Sequence, residues 1–192
     1  GAVCQELGIK NGLIVTDRGS SGLPFIEIAQ KICTSAGIGI GVFSDVSPNP
    51  TDEDVARGKK VLLEGKYDGV IAIGGGSGMD AGKAISLVGR NKVDLWDFDY
   101  DQPEAPQVGS EAFLPLITVP TTAGTGAETE STAMVTDMSK GIKRCIWHTQ
   151  QKPRLAILDP ELTLGLPRNL TAWTGCDALV HAIEAFSVPD WH

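Results

Sequence analysis

No run of apolar residues in this chain approaches the length of a membrane span, and the charged, apolar and small-residue succession of a secretory leader is missing. Positive charge is in deficit. The formal net charge is −8 and the isoelectric point about 4.8, which excludes nucleic acid or an anionic membrane as the main partner. Cysteine is scarce and unpatterned: Cys4, Cys33, Cys145 and Cys176 form no CxxC pair, as expected of reduced thiols in a cytoplasmic protein. No internal repeat or low-complexity stretch occurs. Two familiar phosphate signatures are also lacking, the P-loop with its Lys directly after the last Gly and the GxGxxG dinucleotide fingerprint. What remains is 192 residues, 42% apolar and 21% charged, an ordinary globular composition long enough for one sizeable core. The chain starts at Gly1 in what reads as a strand pattern and stops at His192 just past a strong helix, so both ends read as cut or naturally abbreviated.

Apolar β-type runs alternate with amphipathic helical stretches. Gly12 to Thr16, Ile38 to Phe43, Gly69 to Ile73, Leu114 to Val119 and Leu155 to Leu158 read as strands, and Ser131 to Thr136 with Ile142 to His148 as a hairpin. Helical spacing covers Leu23 to Ala36, Thr51 to about Glu64, the stretch after Gly76, and Pro167 to about Val188. Thr51 with acids at 52–54 reads as an N-cap, and Pro167 as a first-turn residue. Such alternation predicts a doubly wound parallel α/β sheet, with ligands beyond the carboxyl ends of its strands.

Chemistry concentrates in a few places. Gly74, Gly75, Gly76 and Ser77 follow a strand and open a helix. A structural tight turn would normally need only one glycine. Three let a ligand approach the backbone, and the unpaired N–H groups of the helix start favour an anion, of which a diphosphate is the natural example. Asp80 either orients that turn or is a local helix-start acid. Asp45, just past the second strand, can bond a ribose 2′-hydroxyl or be an ordinary loop acid, and Ser44 beside it can tolerate a phosphate. Thr121, Thr122 and Thr125, with Gly124 and Gly126, make a second hydroxyl-bearing turn suited to phosphate and ribose, or a plain threonine-rich turn. Asp177 and His181 share one helix face four residues apart, with Glu184 a turn beyond. They can hold part of a divalent metal site or simply pair, and their apolar surroundings suggest a buried cleft. His148 and His192 read as exposed or idle.

The segments GGGSGMDAGKAISL, PTTAGTGAETESTAMVTD and DPELTLGLPRNLTAWTGCDALVHAIEAF, with SPNPT at Ser47 to Thr51, resemble the signatures of the iron-containing (group III) alcohol dehydrogenases. The resemblance runs from about Leu7 to Val188. It implies a Rossmann-like dinucleotide-binding domain over 1–165 and, over 166–192, only the first helix of a helical metal-binding domain. It further implies NAD or NADP as cofactor, an alcohol or aldehyde as substrate, and Fe²⁺ or another divalent metal such as Zn²⁺ to polarise the substrate oxygen. Carried over, Gly75, Gly76 and Ser77 bind the pyrophosphate, Thr121, Thr122 and Thr125 line the cofactor cleft, and Lys143 lies near the nicotinamide ribose. Ser44 and Asp45 occupy the NAD-versus-NADP selector. Family members often place an acid at the first of these positions, whereas here it is second. Asp177 and His181 match the first two metal ligands; the remaining histidine ligands belong to a domain this chain lacks, so water, His192 or a second subunit would have to supply them. Two functions follow: an alcohol dehydrogenase or aldehyde reductase in truncated form, or a nucleotide-binding fragment without turnover. The uncovered final helix makes a homodimer plausible.

Overall fold

The structure is a computed structural model, and it describes residues 1–188. Five parallel strands form one sheet in the order β2-β1-β3-β4-β7. They are β1 (Asn11–Val15), β2 (Gly39–Phe43), β3 (Gly69–Gly74), β4 (Leu116–Pro120) and β7 (Leu155–Ala156). Every residue of β3 is buried; a central parallel strand covered on both faces has no polar side to present. Alternate residues feed two cores. Leu13, Val15, Val70 and Ala72 join the core beneath α3 (Asp52–Glu64) and α4 (Gly76–Val88). Ile14, Ile71, Ile73 and Ile117 join the core beneath α2 (Pro24–Ser35). The sheet expected from the alternation is the sheet that forms, with helices on both faces.

Local chemistry sets the element boundaries. Pro24 opens α2, where its missing N–H costs nothing. Thr51 caps α3 in a reciprocal box: its hydroxyl accepts the Asp54 N–H at 3.1 Å, and the Asp54 carboxylate accepts the Thr51 N–H at 3.0 Å. Two expectations need correction. The first residues form a short helix, α1 (Ala2–Glu6), rather than a strand, because Cys4 buries in the α2-side core and the Gln5 side chain donates to the Ala36 carbonyl at 2.9 Å. Pro167 stands one place earlier than expected, at the N-cap of α5 (Arg168–Ser187).

The hairpin is β5 (Thr132–Asp137) with β6 (Ile142–Trp147), antiparallel and in register from Thr132 opposite Trp147 to Asp137 opposite Ile142. Its turn is organised by Asp137, whose carboxylate is 2% exposed and accepts from the Ser139 hydroxyl at 2.6 Å, the Ser139 N–H at 3.0 Å and Arg144 Nη1 at 3.0 Å. The Ser139 hydroxyl first, then Arg144, hold this carboxyl below the usual carboxylate range. A carboxylate whose folded value is depressed contributes stability above its unfolded value, and that contribution is lost as pH falls through the folded one. Urea midpoints measured from about pH 7 to about pH 3 should therefore fall less steeply with acid in Asp137→Asn than in the parent, from a lower starting point. Parallel slopes would show that Asp137 carries no such linkage.

Candidate nucleotide-binding site

Two turns meet at the carboxyl edge of the sheet. β3 delivers the chain to Gly74, whose carbonyl accepts the Thr121 N–H at 2.9 Å just after β4 ends at Pro120. This backbone bond holds the glycine turn and the threonine turn side by side. A Cβ on Gly75 would lie 3.3 Å from Thr122 Cγ2, and one on Gly76 would lie 3.2 Å from Thr125 Cγ2. Bare backbone at both positions lets the two turns lie this close, with only a narrow gap between them. Gly74 has φ +150°, and a Cβ there would stand 3.0 Å from Asp17 Oδ2, so only glycine fits without strain.

The gap opens into a cleft of about 1270 Å³ lined by Gly75, Gly76, Ser77, Thr121, Thr122 and Thr125. The same cleft reaches over the apolar residues Ile71, Ile73 and Ile117. α4 begins at this cleft with Gly75 as its N-cap and no side chain capping it. Its first-turn N–H groups therefore remain available, and the helix dipole favours an anion there. At the end of β1 the Thr16 hydroxyl is fully buried and has no hydrogen-bond partner among the described residues. An uncapped helix start and bare glycine backbone at the edge of the cleft fit the diphosphate of a dinucleotide.

The other expected residues fall into place unevenly. The Ser77 hydroxyl donates to the Pro48 carbonyl, fastening the loop after β2 to the glycine turn. Ser44 is half-buried and Asp45 exposed. Asp45 is not a free acid: Oδ1 accepts from Arg18 Nε at 2.8 Å and Nη2 at 2.6 Å, and Oδ2 lies 2.9 Å from Arg57 Nε. The Arg57 Nε–H is not aligned with that contact and finds no acceptor, so this is charge pairing without a hydrogen bond. The Arg18 hydrogen bond above all holds the Asp45 carboxyl below the usual range.

Asp80 neither caps α4 nor lines the cleft. It turns to Lys83, 3.5 Å away, whose Nζ is fully buried and donates to the Thr132 carbonyl of β5 at 2.6 Å. Burial, more than the opposing charge of Lys83, sets the direction for Asp80 and raises its pKa; burial likewise lowers that of Lys83. Lys143 is exposed on β6 opposite Thr136 and is not among the cleft residues.

The metal-ligand pair is also placed differently from expectation. His181 Nε2 and Asp177 Oδ1 stand 3.7 Å apart, as their spacing requires, but the side chains are 49% and 42% exposed rather than buried. The reason is that α5 has no buried residue; it approaches the threonine turn closely at Gly124, where a Cβ would be 2.2 Å from the Thr174 carbonyl, and leaves most of its length exposed. Among the described residues no group of three or more His, Cys, Asp and Glu gathers around a common point. Two half-exposed side chains do not by themselves make a divalent-metal site. His192 lies outside the described residues. His148, expected to be exposed, is 8% exposed; its ring stacks on Phe113 at 4.6 Å, and its Nδ1 accepts the Gln150 N–H at 3.1 Å.

Sequence reasoning passed over Asp17, Arg18 and Lys83. Asp17 sits in the loop after β1, where its carboxylate accepts the Ser20 N–H at 3.0 Å and the Ser20 hydroxyl at 2.9 Å. The signal for Arg18 was a lone basic residue directly after a strand end, which only the neighbouring strand's acid makes meaningful.

Residues 1–160 match the family model described as iron-containing alcohol dehydrogenase. An NAD-dependent methanol dehydrogenase of Bacillus methanolicus is 37% identical over 97% of this chain and 48% of its own length. A crystal structure of a 1,3-propanediol oxidoreductase superposes with a TM-score of 0.92 at 34% identity, over 100% of this chain and 49% of that one. A sulfoacetaldehyde reductase from Bifidobacterium kashiwanohense, solved in complex with NAD⁺, superposes with a TM-score of 0.84 at 33% identity, over 96% of this chain and 48% of that one. The chain thus spans about half the length of the relatives it matches.

Proposed function

The chain belongs to the iron-containing alcohol dehydrogenase family, and on that premise we propose that it binds a nicotinamide dinucleotide with the Gly74–Ser77 turn, as the cofactor half of an alcohol dehydrogenase or aldehyde reductase. The reading divides the chain into a dinucleotide-binding domain over 1–165 and the first helix of a metal-binding domain over 166–192. It also makes the chain a cytoplasmic protein. One observation carries it: the uncapped start of α4 opens on a cleft of about 1270 Å³ that the glycine turn and the threonine turn line together.

The chemistry supplied by the bound cofactor is hydride transfer between nicotinamide C4 and the carbonyl carbon of an aldehyde, with the carbonyl oxygen gaining a proton to give the alcohol. The residues of this chain do the holding. The N–H groups at the start of α4 bind the diphosphate, and the hydroxyls of Thr122 and Thr125 fix its approach from the opposite turn. The apolar floor made by Ile71, Ile73 and Ile117 excludes water beside it. Lys143 belongs to the site by resemblance and Asp80 by its place just after the glycine turn, and both stand back from the cleft. Asp177 and His181 would provide two of the ligands of a divalent metal, which would polarise the substrate oxygen.

The exposure of Asp177 and His181 favours a second reading, a nucleotide-binding fragment without turnover. α5 also exposes Trp173, Leu179, Ile183 and Phe186, the last at 85%, which supports a homodimer through that helix. Titrating the purified chain with NADH and NADPH while following nicotinamide fluorescence tests the primary reading, and binding of either supports it. Aldehyde reduction measured with added Fe²⁺ or Zn²⁺ then separates enzyme from module. If a well-folded sample binds neither nucleotide, both readings fail.

A further inference from the structure

Resting on the nucleotide-binding reading above, we propose that Arg18, backed by Arg57, recognises a 2′-phosphate on the adenine ribose, so that this chain takes NADP(H) in preference to NAD(H). The end of β2 is where a doubly wound sheet reads the ribose 2′ substituent: a free carboxylate there accepts the 2′-hydroxyl and repels a phosphate, and an arginine there accommodates the phosphate. In this chain the acid is already spent. Asp45 Oδ1 takes two N–H groups from Arg18, and Oδ2 faces Arg57. One exposed carboxylate thus faces two guanidinium groups.

The other nearby acid does not redress the balance. Asp54 is 1% exposed and spends its charge locally, accepting the Thr51 N–H at 3.0 Å and the Ser47 N–H at 3.2 Å and pairing with Arg57. Arg18 is held at this point by its own backbone, whose N–H donates to the Val46 carbonyl at 3.2 Å. Its side chain is 54% exposed and lines the same cleft as Gly75 and Ser77. A planar guanidinium suits the paired oxygens of a phosphate. Arg57 adds a second positive charge beside it, its Nε 2.9 Å from Asp45 Oδ2. A 2′-phosphate entering here would take the Arg18 fork beside the Ser47 hydroxyl, with the displaced Asp45 carboxylate left against Arg57.

The experiment is a fluorescence titration with NADH and NADPH at fixed ionic strength on the parent chain, Arg18→Gln and Asp45→Asn. NADPH should bind the parent about tenfold or more tightly than NADH. Arg18→Gln should weaken NADPH about tenfold or more and change NADH by less than about threefold. Asp45→Asn, which frees the fork, should tighten NADPH. Adenosine 2′,5′-bisphosphate should compete better than 5′-AMP against the parent, and equally well against Arg18→Gln. Tighter NADH than NADPH, or equal losses for both nucleotides in Arg18→Gln, overturns this inference while the dinucleotide reading stands. Binding of neither nucleotide to the folded parent overturns both.

Discussion

A valine at Gly75 should leave the chain folded and abolish nicotinamide nucleotide binding. Gly75 has φ −80° and ψ −168°, extended backbone that any residue adopts, so the substitution brings no backbone strain and asks only that the Thr122 side chain give by a few tenths of an ångström. Its Cβ would stand 3.3 Å from Thr122 Cγ2, and the added methyls would crowd the edge of the cleft at the start of α4. A diphosphate could then no longer reach the N–H groups of α4. Losing two charge-assisted hydrogen bonds at about 1.5–3 kcal/mol each raises Kd by about a hundredfold or more. The melting temperature should move by less than about 4 °C, the equivalent of roughly 1 kcal/mol in a domain of this size. Gly74→Val is the contrast. Positive φ and the 3.0 Å approach to Asp17 Oδ2 make it a folding lesion, so its loss of binding should come with a clear loss of stability. If Gly75→Val binds NADH or NADPH as tightly as the parent, the diphosphate is not held at this turn.

The contrast between neighbouring glycines shows what was legible in the sequence. The glycine turn, the threonine turn and the strands delivering them are local patterns, and the parallel sheet needs no further information to bring strand ends to one edge. The hairpin and the Thr51 cap were legible for the same reason, since their partners lie within a few residues. What could not be read depends on distant chain. Asp80 looked like part of the glycine turn because Lys83, three residues on, gave no sign of burial; that burial comes from Thr132, 49 residues away. Asp45 looked like a free acid because its partner Arg18 lies 27 residues earlier, on the neighbouring strand end. The Asp177–His181 spacing was read correctly, but burial of that face was inferred from composition. An apolar helix face is buried only where something covers it, and no residue of α5 is buried. The five residues of α1 are too few to carry a periodicity.

Lys83→Met should be among the most destabilising single changes in the chain, although it replaces a charge by an apolar side chain of similar length in an interior site. The Lys83 side chain is 0% exposed and that of Asp80 16%, with 3.5 Å between them. Burial drives the Lys83 pKa down and the Asp80 pKa up, so the interior disfavours both charges, and each is tolerated because the other is there. Removing the ammonium strands the carboxylate and also deprives the Thr132 carbonyl of its donor. Breaking one side of such a pair costs about 3–5 kcal/mol. Replacing both partners, as in Asp80→Asn with Lys83→Met, should return most of that loss, because no buried charge is left unpaired. The sign of the pH dependence provides an independent check. An acid whose folded pKa is raised contributes stability at low pH that is lost as pH rises through that value. In Lys83→Met the raised pKa of Asp80 goes higher still, so the deficit relative to the parent should shrink as pH falls toward the usual carboxylate range, and the double variant should lose the pH dependence that Asp80 contributes. Urea denaturation of the three proteins across that range measures both effects. A single variant as stable as the parent would mean that Asp80 is neutral in the folded chain already, with Lys83 serving only as a donor to the hairpin.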